Sequence, residues 1–76
     1  MSNNEIKALL QVEKEVKILL SEVYELSYSI KKMLLDENLS GIREEWLKNY
    51  LKNLDDVDNS LMEIHDDIRV SEEDLR

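Results

Sequence analysis

Cysteine and proline are absent from this 76-residue chain, and glycine occurs once. Without cysteine there is no disulfide framework and no thiolate metal site, which fits a reducing compartment. One glycine and no proline argue against a turn-rich all-β domain and a glycine-rich phosphate-binding loop. A chain this short forms one domain at most, and we assign residues 1–76 to a single domain.

Long apolar runs are also missing. The longest holds three residues, whereas a membrane-spanning helix needs about 18. The N-terminal sequence MSNNEIK lacks the basic flank and apolar core of a secretory signal peptide. We therefore expect a cytoplasmic protein with no membrane partner.

Acidic side chains outnumber basic ones by 18 to 10, which gives a net charge of −8. This charge disfavours direct binding to nucleic acid or anionic membranes, and it leaves basic protein surfaces as partners. The acidity is concentrated in residues 53–76, which hold nine acidic and two basic side chains. The candidate acidic surface comprises Asp55, Asp56, Asp58, Glu63, Asp66 and Asp67.

Apolar residues recur at alternating spacings of three and four, the heptad pattern of helices that pack side by side. The two series are symmetric about residue 40, which predicts an all-α fold, an antiparallel two-helix hairpin of the coiled-coil type. The predicted seam consists of Leu9, Val12, Val16, Leu19, Val23, Leu26, Ile30 and Met33 in the first helix. In the second helix it consists of Leu47, Tyr50, Leu54, Val57, Leu61, Ile64 and Ile68, and Leu75 falls on the next equivalent heptad position.

We place the first helix at residues 4–37, the loop at 38–41, the second helix at 42–70 and an acidic tail at 71–76. Gly41 can adopt the left-handed geometry that ends a helix, and Ser40 or Asn38 can cap the next one. The sequence leaves open whether the tail extends the second helix. A single continuous helix would instead carry Gly41 in its interior, at a cost of about 1 kcal/mol relative to alanine.

The first helix carries a second apolar stripe beside the predicted seam. A core of this size rarely supplies more than about 3–5 kcal/mol without a staple such as a disulfide, a metal or oligomerisation. We therefore predict a homodimer that forms a four-helix bundle. The alternatives are a different protein on this stripe, or an isolated hairpin. The candidate interface residues are Leu10, Leu20, Tyr24, Leu34 and Trp46.

His65 is the only histidine, and it stands in the sequence Ile64-His65-Asp66-Asp67-Ile68. The His-Asp-Asp-Ile segment resembles the phospho-acceptor box of one histidine-kinase dimerisation family, which is also a dimeric helical hairpin. The resemblance implies that His65 accepts a phosphoryl group and that Asp66 orients its imidazole. The family's box lies on the first hairpin helix, whereas this segment lies near the end of the second. Val70 stands where the family has an amide side chain.

No catalytic, metal-binding or cofactor-binding constellation emerges from the sequence. The positions one helical turn from His65 hold Leu61, Met62, Ile68 and Arg69, none of which suits a local zinc site. We therefore expect a non-catalytic protein–protein interaction module, such as an adaptor, an assembly subunit or a small protein cofactor. One alternative is an acidic nucleic-acid mimic, of phage or mobile-element origin, that inhibits a DNA- or RNA-binding protein. The other is a histidine phosphotransfer protein that uses His65.

Overall fold

The computed structural model describes residues 3–36 and 38–75, which form two α-helices packed side by side. Helix α1 spans Asn3–Asp36 and helix α2 spans Gly41–Leu75. The Cα trace is 57 Å long and 15 by 12 Å in cross-section. Helices of this length measure about 50 Å each, so the two lie alongside each other for nearly their whole length. The predicted helical hairpin is confirmed.

Ser40 is the N-cap of α2. Its Oγ accepts a hydrogen bond from the Arg43 backbone N–H at 3.4 Å, and its carbonyl oxygen accepts one from Glu44 N–H at 2.9 Å. Gly41 is the first residue of α2, and its φ is not positive. The expected left-handed helix end is therefore not formed at Gly41. The predicted end of the first helix, residue 37, lies outside the described residues.

Helix α2 continues through Leu75, so residues 71–75 of the predicted acidic tail are helical. Residue 76 is outside the described part of the chain. Neither helix has a basic residue in its last turn, and carboxylates there oppose the helix dipole. Packing keeps α2 helical against this effect, since Ile68 is buried and Leu75 is half-buried.

The seam between the helices has the predicted period but a different phase. Leu9, Val16, Val23 and Ile30 of α1 lie in it as predicted, together with Leu47, Leu54, Leu61, Ile68 and Leu75 of α2. The other predicted seam residues are exposed, and in each case the next residue in the sequence lies in the seam instead. The exposed ones are Val12, Leu19, Leu26, Met33, Tyr50, Val57 and Ile64. The seam therefore also contains Glu13, Leu20, Ser27 and Leu34 of α1, and Leu51, Asp58 and His65 of α2. Ile6 and Glu72 complete it.

The change of phase has a simple geometric origin. Each helix carries three adjacent rows of residues at seven-residue spacing, and a contact with one neighbouring helix covers only two of them. The row that contains Val16 and Val23 lies in the middle and is covered in either phase. The structure covers the row that contains Glu13 and Leu20, and it leaves the row that contains Val12 and Leu19 open.

Within residues 3–36 and 38–75, neither helix combines the length and the apolar character that a membrane crossing requires.

Candidate functional site

Seven large apolar side chains line one side of the hairpin, and each is between 42% and 51% exposed. Met33 of α1 and Tyr50 of α2 line the same pocket, which shows that the two exposed rows lie on the same side of the molecule. We call this surface the apolar face. It comprises Val12, Leu19, Leu26 and Met33 of α1, and Tyr50, Val57 and Ile64 of α2.

The opposite side of the hairpin is polar and charged. There, Tyr24 and Lys31 of α1 line a pocket of about 110 Å³ together with Asp55 and Asp58 of α2. Three of these four side chains are charged at neutral pH, so this side suits water better than an apolar partner. The hairpin therefore has one continuous apolar side. On the opposite side, which we call the charged side, charged groups stand among the exposed Leu10 and Tyr24.

The seam itself contains several polar side chains. Two come from α1 and three from α2, and all are half-buried or buried: Glu13, Ser27, Asp58, His65 and Glu72. Burying a polar group costs free energy unless it finds a hydrogen-bonding partner. The hairpin thus covers a mixed row of residues and exposes a row that is apolar from Val12 to Met33. This inversion is the main feature of the site.

His65 lies between the helices, with its side chain only 20% exposed. Its Nε2 is 3.7 Å from Glu13 Oε2 on α1, and its Nδ1 is 3.9 Å from Asp66 Oδ1. Both ring nitrogens therefore face carboxylates, and a phosphoryl donor would have to displace Glu13 to reach Nε2. This geometry gives no support to the acceptor role that the family resemblance implied.

Glu72 is 7% exposed, near the end of α2. Its Oε1 has no hydrogen-bond partner among the described residues. A buried oxygen without a partner is costly, so this end of the seam is a weak point in the packing.

A second pocket, of about 250 Å³, lies near the loop end of the hairpin. We call it the tip pocket. It continues the apolar face towards the loop, because it shares Met33 and Tyr50 with that face. Arg43 is its one charged lining residue. The other lining residues are Leu39, Trp46 and Leu47.

The five predicted interface residues fall in three places. Leu20 and Leu34 lie in the seam, while Leu10 and Tyr24 are exposed outside the apolar face. Trp46 is half-exposed and lines the tip pocket. Leu10, Leu20, Tyr24 and Leu34 therefore all lie off the apolar face. The residues that do form the apolar face were assigned to the seam by the sequence analysis. The complete rows of apolar residues from Val12 and from Tyr50 were the signal that marked this surface.

The predicted acidic surface is largely exposed. Asp55, Asp56, Glu63, Asp66 and Asp67 all face solvent, whereas Asp58 is half-buried at the seam. No group of three or more histidine or carboxylate side chains suited to a metal ion occurs among the described residues.

No protein-family model, curated protein or solved structure matches this chain.

Proposed function

We propose that the protein is a non-catalytic protein–protein interaction module, and that its apolar face packs against the same face of a second copy to form a four-helix bundle. The observation that carries the proposal is the inversion at the seam. An isolated hairpin would gain by turning Leu19 and Leu26 inward and Glu13 and Ser27 outward. The observed arrangement is favourable when the exposed row is buried in a second interface.

The pattern of three rows supports a bundle. A helix with a single neighbour covers two rows per heptad, whereas a helix in a four-helix bundle has two neighbours and covers a third row as well. In α1 the third row is complete from Val12 to Met33. In α2 it runs from Tyr50 to Ile64.

The size of the apolar face also supports a stable contact. From Val12 to Met33 it extends roughly 32 Å along α1, and two helices side by side are about 20 Å wide. The projected area is therefore roughly 600 Å², at the lower end of the roughly 600–1,000 Å² that each partner buries in a specific interface.

The test is the mass in solution, measured by light scattering across a dilution series. We expect the wild-type chain to have twice the 9.0 kDa mass of one copy. Leu26→Glu places a charge at the centre of the apolar face and should give a monomer. Tyr24→Glu is the matched control on the charged side of the hairpin, and it should leave the mass unchanged. Circular dichroism checks that both variants remain helical.

Two results would contradict the proposal. A wild-type mass of 9.0 kDa at every concentration, with full helicity, would rule out the second copy. Loss of the dimer in Tyr24→Glu but not in Leu26→Glu would move the interface to the side that holds Leu10 and Tyr24.

A second candidate function is inhibition of a DNA- or RNA-binding protein by the acidic surface. It is favoured by the extent of α2, since the helix continues to Leu75 and holds the carboxylates of its C-terminal half on one rigid element. Binding of this kind weakens steeply with salt. The quadruple variant Asp55→Asn, Asp56→Asn, Asp66→Asn and Asp67→Asn should abolish it. Unchanged partner binding by that variant would eliminate this candidate.

A further inference from the structure

We infer that the two copies pack with their loops at opposite ends of the bundle, so that α2 of one copy lies antiparallel against α2 of the other. This inference rests on the proposed function and adds the orientation of the two copies. Two apolar faces related by a twofold axis can pack in two ways. The loops lie either at the same end, with α1 against the second copy's α2, or at opposite ends, with like helices in contact.

The apolar contacts fit both arrangements. In α2 the exposed row is symmetric about Val57, and in α1 it is symmetric about the point midway between Leu19 and Leu26. Leu54 lines a pocket together with Val23 and Ser27, and Val57 lies one turn further from the loop. The two centres are therefore at nearly the same height, and a twofold axis through that height pairs both rows well.

Charge separates the two arrangements. Residues 41–52 of α2 hold three basic and two acidic side chains, a net charge of +1, whereas residues 53–76 hold two basic and nine acidic ones, a net charge of −7. With the loops at the same end, the two acidic halves would lie together at the other end of the bundle. With the loops at opposite ends, each acidic half lies against the loop-proximal half of α2 in the second copy.

Arg43 provides the specific contact. It lines the tip pocket at the edge of the apolar face, and it forms no ion pair with any described residue. An axis at Val57 places Arg43 opposite Ser71 of the second copy, with the exposed Asp67 and Asp74 one turn to either side. The same packing brings Glu22 of one copy near Glu22 of the second copy. Exposed like charges at the edge of an interface are screened by salt, so this repulsion is small. Opposite charges at the edge set the orientation of a complex.

The chain has no cysteine, so single cysteine variants can report the orientation directly. In the inferred arrangement Val57 faces itself across the axis. The variant Val57→Cys should therefore form a disulfide-linked dimer under mild oxidation with oxidised glutathione, because a disulfide needs Cα atoms within about 7 Å. Leu26→Cys is the matched control on the same face, and its two copies should not be linked.

An equal mixture of L26C and V57C, unfolded in urea and refolded together, tests the other orientation. Intact mass identifies which two copies are joined. If L26C joins V57C while V57C does not join itself, the loops lie at the same end and the inference is wrong, although the dimer stands. If the protein is a dimer of about 18 kDa but forms neither the V57C–V57C nor the L26C–V57C disulfide, the copies do not meet through the apolar face. A monomer at every concentration instead overturns the proposed function.

Charge reversal gives an independent readout with opposite signs for the two orientations. Asp67→Arg should weaken dimerisation by about tenfold in low salt, because it places a cation beside Arg43 of the second copy. The pair of changes Arg43→Glu and Asp67→Arg should restore it. With the loops at the same end, Asp67 would lie near Glu15 of the second copy, and Asp67→Arg would tighten the dimer. Asp56→Arg on the outer face is the control for net charge.

Discussion

The Glu13 carboxylate of α1 and the His65 imidazole of α2 meet across the seam, with Oε2 and Nε2 3.7 Å apart. This contact joins the two helices, whereas the contacts of Lys48 with Glu44 and of His65 with Asp66 lie within α2. Their side chains are 15% and 20% exposed, respectively. Each therefore gives the other a polar neighbour in an otherwise apolar stretch of the seam.

Replacing both Glu13 and His65 by leucine should stabilise the hairpin by about 1–2 kcal/mol, because apolar side chains often replace a buried polar pair at no cost or with a gain. Glu13→Leu or His65→Leu alone should be less favourable, since each leaves one polar group without its partner. Urea denaturation of the four proteins in this double-mutant cycle measures the difference. A double variant less stable than the wild type would contradict this expectation, and the deviation of the double variant from the sum of the two single effects gives the energy of the pair.

Gly41→Ala should raise the free energy of unfolding by about 0.4–1 kcal/mol, because alanine restricts the unfolded chain more than glycine does. Gly41 has no positive φ, and a Cβ added there meets nothing within 4 Å. A loss of stability would instead indicate the left-handed geometry expected from the sequence.

Ser40→Ala should destabilise the protein by about 1 kcal/mol, since Ser40 Oγ accepts the hydrogen bond from Arg43 N–H. Thermal denaturation followed by circular dichroism measures this loss. Ser60→Ala, at an exposed position within α2, is the matched control and should stabilise the protein slightly, because alanine has the higher helix propensity. Equal effects of the two changes would mean that the cap contributes nothing specific.

Glu72→Leu should stabilise the end of the hairpin by about 1–3 kcal/mol, the usual cost of a buried polar group without a partner. Glu73→Leu, at the next and exposed position, is the control that separates burial from the change of net charge. Chemical denaturation gives both values. If the two substitutions have the same effect, the burial of Glu72 is not what limits stability there.

In the monomeric Leu26→Glu variant, where no second copy faces this end, Asp74→Lys should stabilise the last turn of α2 by about 0.3–1 kcal/mol at low salt, because a cation there complements the helix dipole. Amide hydrogen exchange of the final turn should slow correspondingly. Glu63→Lys makes the same change of charge on the exposed part of α2 away from its ends, and it should have little effect on that turn. The benefit at Asp74 should disappear in high salt.

The sequence predicts the two helices, the loop and the Ser40 cap because these depend on local features. The period of three and four requires helices, the symmetry about residue 40 requires them to turn back, and a serine before α2 can satisfy its free N–H groups. The extension of α2 through Leu75 could not be predicted in the same way. It depends on the packing of Ile68 and Leu75 in the seam, which is a tertiary contact.

The phase of the seam shows where sequence reasoning stops. Val12 and Glu13 are adjacent, and hydrophobicity alone assigns Val12 to the seam. This expectation assumes that an apolar row of α1 can be buried only against α2. The choice between the two rows depends on what else packs against the helix, which is not encoded in the pattern of a single helix.

The direction in which this hairpin resists force follows from its connectivity. The described ends, Asn3 and Leu75, lie at the same end of a rod 57 Å long, and the loop lies at the other. Tension applied between them loads one layer of the seam at a time and peels the helices apart, starting from the layer that holds Glu72. Tension applied between the loop and either end runs along the axis of one helix, so that helix can extend only by breaking its own hydrogen bonds together with many layers of the seam. The hairpin should therefore open at low force when pulled by its ends, and hold at much higher force when pulled by its loop.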